Sequence, residues 1–221
     1  NILNFVFSSS CTVYGIPNSS PVTEDFPIQI ANSPYGNTKQ IGEEILNDYK
    51  IANPNFKYFN LRYFNPIGAH ESGLIGDNPN GIPNNLLPYL TKVVFGELKE
   101  LTVFGGDYNT ADGTCIRDYI HVVDLARAHV LALETLEKSE KDLPKSINLG
   151  TGVGYSVLDV ISTFEKTTQK KVAYKIGPKR EGDVPAIYAN ATLAKEILNW
   201  ECLYNLEEML QSAWNFQCKQ K

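Results

Sequence analysis

Two stretches decide the fold: Ile2-Leu3-Asn4-Phe5-Val6-Phe7-Ser8-Ser9-Ser10, and Ser33-Pro34-Tyr35-Gly36-Asn37-Thr38-Lys39 further on. The first is apolar until serines take over. That is the pattern of a buried strand, over about residues 2–8, running into a polar turn. The second opens with a serine suited to an N-cap and a proline at the first helical position. From Tyr35, the apolar residues Ile41, Ile45, Leu46 and Tyr49 recur at helical spacing until Asn53-Pro54. Strand, loop and helix in this order open an α/β unit.

The alternation continues outward. An aromatic and apolar strand is predicted over about 56–64, then a Gly/Pro/Asn-rich loop over 65–84, of the length usually reserved for function. A helix over 85–95 and a short strand, Leu101–Phe104, follow. Turn residues from Gly105 to Gly113 precede Arg117-Asp118-Tyr119-Ile120-His121. The clearest helix covers about 123–138, and a strand at 146–149 ends in Gly150-Thr151-Gly152. A helix at 156–168, a strand at 172–176 and helices at about 192–198 and 205–217 complete the pattern, with no internal repeat.

Composition narrows the class. The chain has 221 residues, 43% hydrophobic and 20% charged, enough apolar content for a packed core. No apolar run approaches a membrane span. Four cysteines, Cys11, Cys115, Cys202 and Cys218, stand far apart without a CxxC pair, which speaks against a disulfide scaffold or zinc site and for a reducing compartment, the cytoplasm. A net charge of −5 gives no general attraction for nucleic acid or anionic lipid. No metal ligands are expected: His121 and His129 read as structural, and His70 follows the loop at Asn65-Pro66.

Tyr35 and Lys39 lie four apart on a helix and share a face. An ammonium near a phenol favours the phenolate, so Lys39 is expected to lower the Tyr35 pKa and make it a general base. The spacing alone carries little, since a solvated lysine near a packed tyrosine has the same spacing. Ser10, at the C-terminal end of the first strand, lies where open α/β sheets place their ligands.

These stretches, with Leu61-Arg62-Tyr63-Phe64-Asn65-Pro66-Ile67-Gly68-Ala69-His70, resemble the extended short-chain dehydrogenase/reductase superfamily. Gly81-Ile82-Pro83-Asn84-Asn85-Leu86-Leu87-Pro88-Tyr89, Val103-Phe104-Gly105, Arg117-Asp118-Tyr119-Ile120-His121-Val122, Asn148-Leu149-Gly150-Thr151-Gly152 and Arg180-Glu181-Gly182-Asp183 narrow the resemblance to its UDP-glucose 4-epimerase family, over nearly the whole chain. The resemblance implies the C-terminal part of a Rossmann-like doubly wound NAD-binding domain with a smaller α/β substrate-binding domain. Residues 1–65, with a return over about 105–150, would belong to the first, and 66–104 and 151–221 mainly to the second. It implies NAD as cofactor, UDP-galactose and UDP-glucose as substrates, and a homodimer built on the helix of Tyr35, whose Ile41, Ile45 and Leu46 suit an interface or a core.

The roles follow by matching position. Tyr35 takes the proton of the sugar 4-hydroxyl, Ser10 bonds the same oxygen with Cys11 and Thr12 close by, and Lys39 holds the nicotinamide ribose. Tyr63 and Phe64 line the nicotinamide and sugar. Asn65, Asn84, Asn85 and Leu86 reach phosphate and sugar. Thr102, Val103 and Phe104 face the uracil. Arg117 and Arg180, two of four arginines, hold the diphosphate with a fork suited to it. Glu181 and Gly182 lead to Asp183 at the ribose, and Tyr119 packs near the diphosphate or fills the core. Ile187 gates the space beside the sugar 2-substituent.

The sequence departs from the family in one respect. The Gly-rich dinucleotide turn is absent, and Gly150-x-Gly152-x-Gly154 has the wrong spacing for it. The expectation is that an N-terminal part, on the order of a hundred residues, precedes Asn1 and carries that turn, and that residues 1–221 alone are inactive. Two alternatives remain. One is another UDP-sugar enzyme, such as a UDP-glucuronate 4-epimerase, with Arg62 or Arg127 as the spare arginine for a carboxylate. The other is a UDP-sugar-binding fragment without catalysis.

Overall fold

The computed structural model describes residues 2–140 and 142–220. In chain order the elements are β1 (Asn4–Ser10), a 3-10 turn (Cys11–Tyr14), α1 (Pro34–Ala52), β2 (Lys57–Tyr63), β3 (Asn65–Ile67), α2 (Leu86–Phe95), β4 (Leu101–Phe104), β5 (Ile116–His121), α3 (Val122–Lys138), β6 (Ser146–Leu149), β7 (Gly154–Ser156), α4 (Val157–Thr168), β8 (Tyr174–Gly177), β9 (Ala186–Ile187), α5 (Thr192–Leu198) and α6 (Leu206–Lys219). The mixed α/β class expected from the sequence is the class observed.

The first sheet is parallel and ordered β1-β2-β6, with Ser8, Ser9 and Ser10 registered against Leu61, Arg62 and Tyr63. The serine run therefore belongs to the strand and not to the turn after it. One face of the sheet sends Phe59, Leu61, Ile147 and Leu149 into a core with Leu125, Ala128, Ala132 and Leu136 of α3 and Trp200. The other face meets α1, where Gly42 allows close approach: a Cβ there would stand 2.5 Å from the ring of Phe7. Ile2, Leu3 and Phe5, read as part of a buried strand, are exposed in these 221 residues: Ile2 and Leu3 precede β1, and among the described residues β1 pairs only with β2.

The second sheet centres on β5, which pairs in parallel with β3 and β9 and antiparallel with β7. β3 lies inside the predicted 65–84 loop. β7 and β9 are three and two residues long, too short for any periodicity to announce them. A third, two-stranded sheet pairs β4 with β8. A second core joins α2, α4 and α6 through Leu90, Phe164, Met209 and Leu210.

Asp118 on β5 ties the sheets together. Its carboxylate accepts from Thr151 N (2.8 Å), Thr151 Oγ1 (2.6 Å), Gly152 N (3.0 Å) and Ala189 N (3.0 Å). Position 150 must be glycine, since a Cβ would lie 2.4 Å from Asp118 Oδ2. Among the described residues no helix is long and apolar enough to cross a membrane.

Candidate functional site

The end of β1, the turn after it and the first turns of α1 converge. Ser33 caps α1 by accepting from Gly36 N at 3.1 Å, which fixes the helix start at Pro34, one residue before Tyr35. Ser10 caps the 3-10 turn, accepting from Thr12 N at 3.2 Å, and its hydroxyl lies close enough to Tyr35 to favour the phenolate. Lys39 donates to the Ser8 carbonyl at 2.8 Å and lies over the rings of Phe7 (5.2 Å) and Tyr35 (5.3 Å). The structure thus brings Ser10, Tyr35 and Lys39 together.

The expected lowering of the Tyr35 pKa is not found. Burial raises it above the usual phenol value, the neighbouring Tyr63 adds to the rise, and the Ser10 hydroxyl opposes it. Lys39 stands over the ring face, with its ammonium directed at the Ser8 carbonyl.

Beneath this group runs a buried polar network. Ser9 Oγ donates to Glu43 Oε1 at 2.5 Å. Arg62 holds both oxygens of Glu43, through Nε at 2.9 Å and Nη2 at 2.6 Å, and donates to Tyr14 Oη at 3.1 Å. Tyr14 donates in turn to Asn148 Oδ1 at 2.7 Å. Burial weighs against the Arg62 charge, but Glu43 and Tyr14 more than offset it and its pKa is raised. Burial pushes the Tyr14 phenol up to about 12.

Neither arginine read as spare is free to take a sugar carboxylate. Arg62 is locked to Glu43, and Arg127 pairs with Asp124 at 3.2 Å and donates to the Glu201 carbonyl. The histidines have structural partners. His129 sits between Ser8 Oγ (3.0 Å) and the Leu125 carbonyl (2.9 Å). His121 accepts from Val123 N and stacks on Tyr204. Among the described residues no group of three or more His, Cys, Asp or Glu is placed to hold a metal ion.

The residues assigned to the nucleotide end group more loosely. Arg117 donates to the carbonyls of Val184 (2.6 Å) and Ile116 (2.9 Å) and pairs with Asp183 at 3.4 Å. It also lies within electrostatic reach of Cys11, which joins this end to the turn after Ser10. Arg180 covers the ring of Phe104, 4.3 Å from its centroid. Thr102 and Phe104 share one face of β4, whereas Val103 points into the core at 1% exposure, so only its backbone can face a base. Asn84 and Asn85 are exposed at the start of α2, where Asn85 makes no side-chain cap and leaves the first amides, Leu86 among them, open. Among the described residues no hydrogen bond or ring contact links Asn84, Asn85, Glu181 or Gly182 to Arg117 or Arg180.

Three other assigned side chains are packed away. Cys11, Phe64 and Ile187 belong to one small core with Val13, Tyr14, Val22 and Ala189. Burial pushes the Cys11 thiol up to about 12, so it is no nucleophile. Tyr119 fills the second core. Conversely, Thr12 Oγ1 and Asn65 Oδ1 are buried and lack a hydrogen-bond partner among the described residues, as atoms left for a ligand would. A hollow of about 680 Å³ beside the start of α1, lined by Ile30, Asn32, Ser33, Asn37 and Gln40, contributes no ionisable group.

Ser9, Glu43 and Asp118 were missed in the sequence. A signal for one of them was present: Glu43 follows Lys39 by four residues and Tyr35 by eight, so it continues their helix face.

Residues 1–150 match the model of the NAD dependent epimerase/dehydratase family. The chain is 53% identical over 213 residues to the UDP-glucose 4-epimerase of Erwinia amylovora, and 51% identical over 216 residues to that of Bacillus subtilis. It spans 63% of the length of each, while those matches cover 96% and 98% of the chain. Among solved structures it resembles UDP-glucose 4-epimerase from Stenotrophomonas maltophila with bound NAD and formylated UDP-arabinopyranose, at TM-score 0.95 and 45% identity, over 99% of this chain and 64% of that one. It also resembles the Bifidobacterium longum enzyme in complex with NAD+ and UDP, at TM-score 0.92 and 49% identity, over 98% of this chain and 64% of that one.

Proposed function

The chain belongs to the NAD dependent epimerase/dehydratase family, and from that premise we propose that the whole protein interconverts UDP-galactose and UDP-glucose by inverting C4 through a transient 4-keto sugar. The grouping of Ser10, Tyr35 and Lys39 at the C-terminal end of a parallel strand carries this reading.

The residues fit NAD at its nicotinamide end. Tyr35 is half-exposed and Lys39 holds its charge beside it, with Tyr63 adjacent. When bound, NAD supplies a reversible acceptor for the hydrogen on C4. Tyr35 Oη takes the proton of the 4-hydroxyl and later returns it, with Ser10 bonded to the same oxygen. Lys39 holds the nicotinamide ribose and keeps positive charge beside the phenolate that forms. Arg117 and Arg180 take the diphosphate, the open amides at the start of α2 and Asn65 Oδ1 serve phosphate and sugar, Thr102 and Phe104 flank the base, and Asp183 meets the ribose. The Gly-rich turn that would hold the pyrophosphate of NAD does not occur in these 221 residues; Gly150 and Gly152 belong to the turn that Asp118 holds, and Gly154 opens β7.

The same reading includes the domain division, with residues 1–65 and part of 105–150 on the NAD side and the rest mainly on the substrate side. It includes a cytoplasmic homodimer, supported by the exposed Ile41, Ile45 and Tyr49 on α1.

The test is conversion of UDP-galactose by the full-length protein and its Tyr35→Phe variant. Turnover is expected to fall about 10²–10⁴-fold in the variant while UDP still binds. Wild-type turnover in Tyr35→Phe, or none in the wild type, overturns the reading.

A further inference from the structure

We propose that Ser9 and Glu43, held by Arg62, are positioning residues that set where Ser10 stands against Tyr35 and Lys39. The inference rests on the epimerase reading for its kinetic readout and on geometry for the rest.

The geometry starts from the period of a strand. Ser9 and Ser10 are successive residues of β1 and point to opposite faces. A bond that fixes Ser9 on one face therefore fixes the phase in which Ser10 leaves the other. Ser9 is fully buried and donates at 2.5 Å to Glu43, itself 7% exposed. Glu43 lies on the α1 face that carries Tyr35 and Lys39, and Lys39 grips the Ser8 carbonyl at 2.8 Å. α1 is thus tied to successive residues of β1 at two successive helical turns, immediately before Ser10.

Glu43 has little freedom to give way. Arg62 engages both its oxygens, and Arg62 comes from β2 in register with Ser9. A buried carboxylate whose oxygens are all bonded is rigid, because any rotation leaves a charge unpaired at low dielectric. In an extended strand a shift at residue 9 passes directly to residue 10, and a misplacement of an ångström at a reacting group costs about a hundredfold in rate. None of these three side chains touches the reacting atoms in the proposed mechanism, so their action runs through Ser10 and Tyr35.

The test uses Ser9→Ala in the full-length protein, since changes at Glu43 strand the Arg62 charge and threaten the fold. Two readouts are taken. The first is steady-state conversion of UDP-galactose: kcat is expected to fall about tenfold with KM within about twofold of wild type. The second is the titration of the Tyr35 phenol, followed by NMR of tyrosine labelled with ¹³C at Cζ and assigned by its loss in Tyr35→Phe. Tyr35 faces Lys39 on its own helix, Ser10 and Cys11 from the end of β1 and the turn after it, and Tyr63 from β2. Only the Ser10 contact is expected to loosen in Ser9→Ala, so Tyr35 should hold its proton to higher pH by about half a unit or more. A mere packing role for Ser9 leaves that titration unmoved, and an unmoved titration overturns the inference whatever turnover does. Absence of turnover in the wild type instead sinks the epimerase reading, and the titration still decides the inference.

Discussion

The two ends of the candidate site are built differently. At the β1–α1 end, Ser10, Tyr35 and Lys39 rest on buried charges that are fully bonded, with Glu43 and Arg62 at 7% and 5% exposure. At the other end, Arg117 on β5 donates to the Val184 carbonyl at 2.6 Å and pairs with Asp183 at 3.4 Å, while Arg180 is an exposed side chain resting on the ring of Phe104. The first end holds its geometry before any ligand arrives. Of the two cations proposed for the diphosphate, Arg117 is held by neighbouring carbonyls and Asp183, whereas Arg180 is held only by its ring contact among the described residues. Proton transfer demands placement to a fraction of an ångström, whereas charge attraction tolerates more.

The largest break in that comparison should come from removing a cation at each end and measuring stability. Arg62→Ala leaves Glu43 buried without its partner, and urea unfolding of the full-length protein should show a loss of about 3–5 kcal/mol. Arg180→Ala should stay within about 0.5 kcal/mol, because its charge is solvated and its ring contact is a surface one. Similar losses in both variants would mean that the two ends do not differ in rigidity.

Ligand affinity should rank the ends the other way. By calorimetry with UDP, Arg117→Ala should weaken binding about tenfold or more, the loss of charge-assisted bonds to phosphate. Arg180→Ala should weaken it about two- to fivefold. Ser10→Ala should leave it within about twofold, since UDP lacks the sugar oxygen proposed to meet Ser10. Undiminished UDP affinity in both arginine variants would remove the diphosphate assignment.

The difference between the ends also explains what the sequence could tell. α1 and α3 were legible because their apolar residues recur over many turns, and Tyr35 with Lys39 was legible because helical spacing places them on one face. β3, β7 and β9 were not, since two or three residues in a loop carry no period. Arg62 read as a spare cation because its partner, Glu43, lies nineteen residues away on another element. At the other end, a run such as Thr102-Val103-Phe104 named the right strand without saying that Val103 faces inward. Cys11 and Phe64 blurred in the same way, each adjoining a site residue in sequence yet pointing into the core.

The smallest effect concerns Ile187, the residue at which the two ends meet. It pairs with Arg117 in the β5–β9 register and packs in the same core as Cys11, beside the turn that follows Ser10. It is 5% exposed, so a larger side chain has two ways out: into the core, or toward the sugar. The first costs about 1–3 kcal/mol of overpacking. The second narrows the space beside the sugar 2-substituent. Ile187→Tyr separates them, because overpacking lowers stability without changing selectivity, whereas a narrowed pocket selects against the bulkier substrate. Turnover of UDP-N-acetylgalactosamine relative to UDP-galactose should fall severalfold, at most about tenfold, in Ile187→Tyr. An unchanged ratio with lowered thermal stability would place the ring in the core and reject the gate. A changed ratio would show that a residue buried among the rigid elements of the first end shapes the space that the second end fills.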